Sequence, residues 1–257
     1  MRFVRFLATA AGAEAWPRTG VVEGERVFEV GGDVLEPGAR TGRAHDLAEL
    51  RLLAPLVPRN VIGIGKNFVA DGERVPEAPA LPILFFKPIS SVIGPDDAIV
   101  LPDGIDTVKF ESELAVVMGR TVRGVSASEA LDGVLGYTVA NDLAAQEFHH
   151  PDGHWTISKS FDTFCPLGPA IETDVDLDAI MVEAYVNGER AQRAGLDRMI
   201  TGVAEMIAYV SSFMTLSPGD VLLTGTPAGA GMVGHGDVVE CAIEPIGRLR
   251  NPVHRSN

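Results

Sequence analysis

Cysteine is almost missing from this chain. Cys165 and Cys241 are the only two among 257 residues. Two do not make a disulfide framework, and a chain of this length needs none. Basic residues are scarce as well: 21 Lys and Arg stand against 35 Asp and Glu, a net charge of −14. That balance argues against nucleic acid or an anionic membrane as partner, since both call for a basic face. No apolar run approaches the roughly 20 residues of a membrane span. Met1 to Ala11 faintly resembles a signal peptide, but Arg5 interrupts its short apolar run, so the stretch reads as a strand and the cytoplasm is the expected compartment. What is present is 46% hydrophobic, enough for one large domain or a main domain with a small extra one.

Along the chain, short strand-like pieces come first: Arg2 to Ala8, Thr19 to Val22 and Arg26 to Val30, separated by turn residues such as Gly31-Gly32-Asp33. The polar stretch 36–43 follows, and residues 1–55 read as a small N-terminal β subdomain ahead of a main domain over 56–257. Asn60 to Gly65 is a buried strand. Its Gly63-x-Gly65 does not open a dinucleotide site, because Phe68 occupies the third glycine position and no helix pattern follows. The Pro-, Gly- and Glu-rich residues 69–82 suit a loop or lid. Ile83 to Phe86 and Ala98 to Val100 read as strands. Ser126 followed by Glu129 marks a helix start. Asn187-Gly188 marks a hairpin turn after the strand from Val182. Val203, Met206, Ile207, Val210, Phe213 and Met214 recur at helical spacing. Further strands over 221–224 and 237–243 complete a mainly β (α+β) architecture with a few short helices and no repeat.

The most informative stretch is Phe110-Glu111-Ser112-Glu113-Leu114-Ala115-Val116-Val117. Read as a strand, it turns Glu111 and Glu113 to one face. Burying two like charges there is unfavourable unless a cation joins them. A second apolar strand over 136–142 ends in Asp142. Three carboxylates offer the hard oxygen ligands that Mg²⁺ takes. The competing reading, a solvated edge strand, stays open on spacing alone.

Gly65-Lys66-Asn67-Phe68, Phe86-Lys87-Pro88, Phe110-Glu111-Ser112-Glu113-Leu114, Ala140-Asn141-Asp142, the segment from Lys159 to Pro169, and Thr224-Gly225-Thr226-Pro227-Ala228-Gly229 occur in this order. Together they resemble the fumarylacetoacetate hydrolase family, in particular its short bacterial members, from about residue 50 to 253. Residues 1–50 look like the small N-terminal extension that some members carry. The resemblance implies a mixed β-sandwich roll, a homodimer, and Mg²⁺ or Mn²⁺ held by Glu111, Glu113 and Asp142. It implies a small-molecule carboxylic acid as substrate, a 2-oxo or 1,3-dicarbonyl acid, with the metal acting as Lewis acid on its enolate. Lys159 matches the active-site lysine, which holds the substrate carboxylate or the developing enolate. Thr226, beside Gly225, matches a substrate-contacting threonine, and Asn67, Phe68 and Gln146 fall in the substrate shell. Asp162 reads as structural.

The chain departs from the family pattern in its lid. Members commonly carry a histidine about four residues after the Asn-aromatic pair and a glutamate three beyond it. Here no histidine occurs from 46 to 148, and Asp71 or Gly72 holds the place. Glu73 in the lid, then His149 or His150 in the polar loop after Asp142, are the replacement bases to test. The expected activity is C–C bond hydrolysis of an acylpyruvate-like acid. Isomerisation, tautomerisation or decarboxylation of a 2-oxo or 2-hydroxydienoic diacid is the alternative, since neither tautomerisation nor decarboxylation needs an activated water. A third reading, binding without turnover, follows from the altered lid.

Overall fold

A computed structural model describes residues 1–7, 16–70, 72–79, 81–150 and 153–256. Asp71, one of the two residues standing in the lid histidine's place, lies outside them.

The architecture is mainly β, as the alternating patterns predict. One twelve-stranded sheet runs, in spatial order, through Pro37–Asp46, Arg26–Gly32, Pro17–Glu23, Arg2–Leu7, Cys165–Glu172, Val134–Asn141, Ser112–Met118, Val221–Leu223, Val61–Gly65 and Ile83–Lys87. Arg51–Leu53 pairs with the first strand and Val92–Ile93 with Cys165–Glu172. A five-stranded sheet of Glu189–Gly195, Met181–Val186, Val238–Ile243, Gly247–Arg255 and Ile99–Leu101 lies against it. The N-terminal strands thus form no separate sheet; they prolong the main one.

Ser112–Met118 runs through the centre, and all seven residues are buried. A strand covered on both faces shows a continuous apolar run rather than alternation, which is what Leu114 to Met118 displays. Helix Val203–Phe213 buries Val203, Met206, Ile207 and Val210 of the predicted stripe, whereas Phe213 is exposed and Met214 caps the helix C-terminus. Helix Ala127–Ala130 begins after Ser126, whose N–H donates to the Glu129 carboxylate at 3.1 Å. Asn187 and Gly188, at φ 52° and 85°, turn the chain between Met181–Val186 and Glu189–Gly195 as the hairpin signal requires.

Two elements differ from expectation. The polar stretch 36–43 belongs to a ten-residue strand, Pro37–Asp46, exposed over most of its length. It has no apolar face to reveal it, because it is an edge strand held by pairing with Arg26–Gly32. The strand carrying the glutamates begins at Ser112, so Glu111 sits just before its first rung.

Candidate metal centre and active-site cavity

The site forms where neighbouring strands end together. Ser112–Met118 and Val134–Asn141 pair antiparallel with Ser112 opposite Asn141. One step further, Glu111 faces Asp142: the Asp142 N–H donates to Glu111 O at 2.9 Å, and the Glu111 N–H donates to Asn141 Oδ1 at 2.9 Å. On the other side, Val221–Leu223 pairs with Ala115–Val117 and carries the chain into Thr224-Gly225-Thr226. There the Gly225 N–H donates to Glu113 Oε2 at 2.7 Å. Gly225 takes φ +94°, and a Cβ on it would lie 2.8 Å from Asn67 Cβ, so the turn that presents this N–H requires glycine.

Oxygen atoms of Glu111, Glu113 and Asp142 consequently lie within 4.8 Å of one another. Asp142 and Glu113 are 1% and 2% exposed. Three lysines face them. Lys159 Nζ lies 2.6 Å from Glu111 Oε2, 2.5 Å from Asp142 Oδ2 and 2.9 Å from Asp142 O. Lys87 Nζ sits 2.6 Å from Asp142 Oδ1 but outside hydrogen-bond geometry; it donates instead to Leu143 O at 3.1 Å. Lys109 Nζ is 2.8 Å from Glu111 Oε1.

These contacts set the protonation states. Burial works to raise the Asp142 pKa, but Lys159 and Lys87 outweigh it and hold the carboxyl below its ordinary value. Burial opposes charge on Lys159 too, and the charges of Asp142 and Glu111 overcome it, so its pKa is raised and the ammonium persists. Glu113 behaves oppositely. Burial first, then the charges of Asp142 and Glu111, push it well above the usual carboxylate range, with only Lys159 and the Gly225 N–H in opposition.

The donor set fits a hard divalent cation. All donors are carboxylate oxygens, Asp142 Oδ1 has no hydrogen bond, and Glu113 is a buried acid short of positive charge. Glu111, Glu113 and Asp142 would hold Mg²⁺ or Mn²⁺.

Beside them opens a cavity of about 350 Å³, lined by Lys109, Lys159, Gly225 and Thr226, by Ile64, Phe68, Phe85 and Trp155, and by Lys66 and His149. Gly65 belongs to the wall because the Trp155 ring rests on it: a Cβ there would come within 2.0 Å of the indole. Among the described residues, the buried His149 Nε2 has no hydrogen-bond partner. Burial, then Lys159, lower the His149 pKa below its ordinary value, so the imidazole is neutral near pH 7.

Of the residues expected from sequence, the structure gathers Glu111, Glu113, Asp142, Lys159, His149, Phe68, Gly225 and Thr226 around this cavity. Glu73, His150, Gln146 and Asn67 do not line it. Glu73, the leading base candidate, is exposed; its backbone carbonyl accepts from Arg198 at 2.7 Å. His150 is exposed, with its ring 5.8 Å from that of His154. Gln146 is exposed at the start of the short 3-10 turn Gln146–Phe148. The Asn67 amide is committed to backbone, donating to Thr201 O and Thr224 O at 2.9 Å and accepting from the Thr201 N–H at 2.8 Å. It therefore positions the turn at Gly225. The Thr226 hydroxyl donates to Ser112 O at 2.9 Å and accepts from Gln192 at 2.8 Å.

Sequence reasoning missed Lys87, Lys109, Phe85 and Trp155. Lys109 stands two residues before Glu111 but closes a separate strand, Thr107–Lys109, so the alternation of the glutamate strand does not reach it. Lys87 ends an otherwise apolar strand, Ile83–Lys87, and a lysine is almost never buried without an anion to meet it.

Compared with known families, residues 60–254 match the fumarylacetoacetate (FAA) hydrolase C-terminal family and residues 1–55 match Rv2993c-like, N-terminal. Oxaloacetate tautomerase fahd2, mitochondrial, of Xenopus laevis is 40% identical over 221 residues, 80% of this chain and 69% of its own. Among solved structures, 5-carboxymethyl-2-hydroxymuconate delta-isomerase from Mycobacterium smegmatis superposes with a TM-score of 0.91 at 39% identity, over 100% of both chains. Maleylpyruvate hydrolase from Sphingobium sp. SYK-6, solved with manganese(II) and pyruvate, gives 0.83 at 28% identity, again over 100% of both chains.

Proposed function

Because this chain belongs to the fumarylacetoacetate hydrolase family, whose members are enzymes, we propose that it catalyses proton transfer on a small 2-oxo acid, as a tautomerase or isomerase. The observation that carries this reading is His149. Its Nε2 is buried on the cavity wall, lacks a partner, and belongs to an imidazole kept neutral by burial and by Lys159. A neutral imidazole offers one acceptor nitrogen and suits a general base near neutral pH.

Glu111, Glu113 and Asp142 would hold a divalent ion, which would supply Lewis-acid stabilisation of an enolate. His149 takes the proton from the carbon next to the oxo group, and the electron pair of that C–H bond moves toward the oxygen. The imidazolium then returns the proton to the oxygen, or to a more distant carbon of a conjugated acid. No water is consumed, which suits a site without the usual lid histidine. Lys159 stays charged and fixes Glu111 and Asp142. Phe68, Phe85 and Trp155 give the cavity an apolar wall. The similarity to an oxaloacetate tautomerase and a delta-isomerase supports this choice. C–C hydrolysis is the second reading, supported by the maleylpyruvate hydrolase likeness.

The test uses purified Mn²⁺-loaded protein, following keto–enol interconversion of oxaloacetate by ultraviolet absorbance and cleavage of acetylpyruvate by product analysis. Interconversion faster than cleavage is expected. His149→Gln should lower it by roughly a hundredfold to ten-thousandfold, while Glu73→Gln and His150→Gln stay near wild type. Faster cleavage of acetylpyruvate would favour hydrolysis, and full activity in His149→Gln would remove the base assignment.

A further inference from the structure

We infer that Arg198 is a positioning residue: its guanidinium latches the root of the lid segment and so holds Phe68 in the wall of the active-site cavity. The inference rests on the 2-oxo acid reading of the site for the choice of ligand in its test.

The lid segment leaves the cavity at Phe68 and pairs at once with residues 198–201. Phe68 and Met199 form an antiparallel bridge. The Val69 N–H donates to Arg198 O at 3.1 Å, and the Ile200 N–H donates to Asn67 O at 2.8 Å. Just beyond, the Glu73 N–H donates to Ala70 O at 3.1 Å and closes a turn in which Gly72 takes φ +79°. One nitrogen grips this turn from the side. Arg198 Nη2 donates to Ala70 O and, at 2.7 Å, to Glu73 O. Among the described residues the Arg198 Nε, although buried, has no hydrogen-bond partner, so the two lid carbonyls are what the guanidinium holds.

The latch matters because little else fastens the turn. Ala70 is half-buried and Gly72 and Glu73 are exposed, so apolar packing ends at Phe68, which rests against the core cluster that includes Met199. A short backbone ladder at a solvent edge opens readily, whereas hydrogen bonds from an ionised donor are about twice as strong as neutral ones. The turn also stands where the family pattern has its lid histidine. Gripped by its carbonyls, it gives the cavity a fastened wall there and keeps Glu73 outside. His149, Lys159 and the three carboxylates are carried by other elements. Releasing the latch therefore lowers the fraction of molecules whose wall is ready for a ligand and leaves the reacting groups in place. Apparent affinity falls by that fraction, and saturation restores it. The signature is a change in KM with kcat retained.

The test perturbs the turn from both sides. Arg198→Met removes the donors and keeps the length of the side chain. Gly72→Ala strains the turn itself: a Cβ there meets no atom within 4 Å, so only the left-handed backbone is penalised. Arg198→Lys keeps the charge. Hydrogen exchange of the metal-free proteins is followed by mass spectrometry. Calorimetry measures pyruvate binding to the Mn²⁺-loaded proteins, and oxaloacetate interconversion gives kcat and KM. Both single variants should speed exchange in residues 67–75 at least tenfold and leave Ser112–Met118 unchanged. Pyruvate should bind at least fivefold more weakly, with KM raised by the same factor and kcat within twofold of wild type. Arg198→Lys should fall between wild type and Arg198→Met. The double variant should lose less than the product of the single losses, because the turn can be released only once. Unchanged exchange in 67–75, faster exchange throughout the chain, or a loss of kcat at constant KM would each overturn the inference, as would local loosening with unaltered pyruvate affinity. If wild type neither binds pyruvate nor turns over oxaloacetate, the 2-oxo acid reading fails by itself. Exchange then decides the latch: loosening confined to 67–75 supports it, and any other pattern overturns it.

Discussion

Consider replacing Lys159 by Met. Lys159 is 3% exposed, and its ammonium touches Glu111 Oε2, Asp142 Oδ2 and Asp142 O. Methionine preserves most of the volume and can still pack beside Phe85, whose ring centre lies 5.3 Å from Nζ. The change therefore removes charge rather than packing. Glu111 keeps Lys109 and Asp142 keeps Lys87, but each loses its closest or equal-closest cation. Breaking a buried ion pair on one side destabilises by about 3–5 kcal/mol. For a chain of this size each kcal/mol moves Tm by about 2–4 °C, so the metal-free variant should melt roughly 6–20 °C lower. Mn²⁺ should narrow that gap. The cradle of the variant is more anionic, binds the ion more tightly, and so gains more from ligand linkage than the wild type does. Differential scanning calorimetry in chelator and in excess Mn²⁺ reads both effects. Equal Tm values in chelator, or a gap that Mn²⁺ leaves unchanged, would refute the electrostatic account of the site.

Two further outcomes follow from the protonation states. Glu113→Gln should weaken Mn²⁺ binding at least tenfold. In wild type the affinity should rise with pH through the range above the ordinary carboxylate value, because the raised pKa of Glu113 makes the ion displace a proton. Calorimetry in buffers of different ionisation enthalpy detects that proton, and its absence would place the ion elsewhere. On Arg26–Gly32, next to the edge strand, Glu29 is 4% exposed and pairs with Arg18, Arg43 and His45. Burial works to raise its pKa, but hydrogen bonds from His45 and Arg18 prevail and lower it. A lowered carboxyl pKa gives stability that is present above the ordinary value and lost as pH falls through the native one. Glu29→Gln should therefore lose about 1–3 kcal/mol at neutral pH and flatten that part of the acid limb in urea titrations; parallel curves for the two proteins would contradict the pairing.

The parts of the site legible in sequence were those with a fixed local order. Glu111 and Glu113 share a parity, and Asp142 ends an apolar run, so one strand ladder brings them together. Gly225 and Thr226 follow a buried strand. The lid was read from composition and from the family pattern, and neither says which way a carboxylate faces; Glu73 is exposed, and the imidazole that lines the cavity is His149. Lys87 and Trp155 reach the site only through pairings between residues far apart in the chain. The edge strand Pro37–Asp46 escaped notice because period-two alternation exists only where one face meets a core.

The first strand has a consequence for synthesis. Arg2–Leu7 is bounded on one side by Pro17–Glu23, a local hairpin. Its other side is divided. Arg5 to Leu7 pair with Arg51–Leu53, whereas Arg2 and Phe3 pair with Glu172 and Ile171, and the terminal amine donates to Glu172 at 2.8 Å. At roughly 5–20 residues per second, the ribosome delivers that partner roughly 10–30 s after the first strand. During this interval the opening residues present an unsatisfied strand edge, the kind that recruits a second chain. Once Arg51–Leu53 has paired with Arg5 to Leu7, only Arg2 and Phe3 await their partners, so the nascent chain leaves two of the five rungs on this side open. The strand that finally closes them, Cys165–Glu172, leaves the loop that carries Lys159. Completion of this edge and arrival of the loop that carries Lys159 are thus one event in the life of the chain.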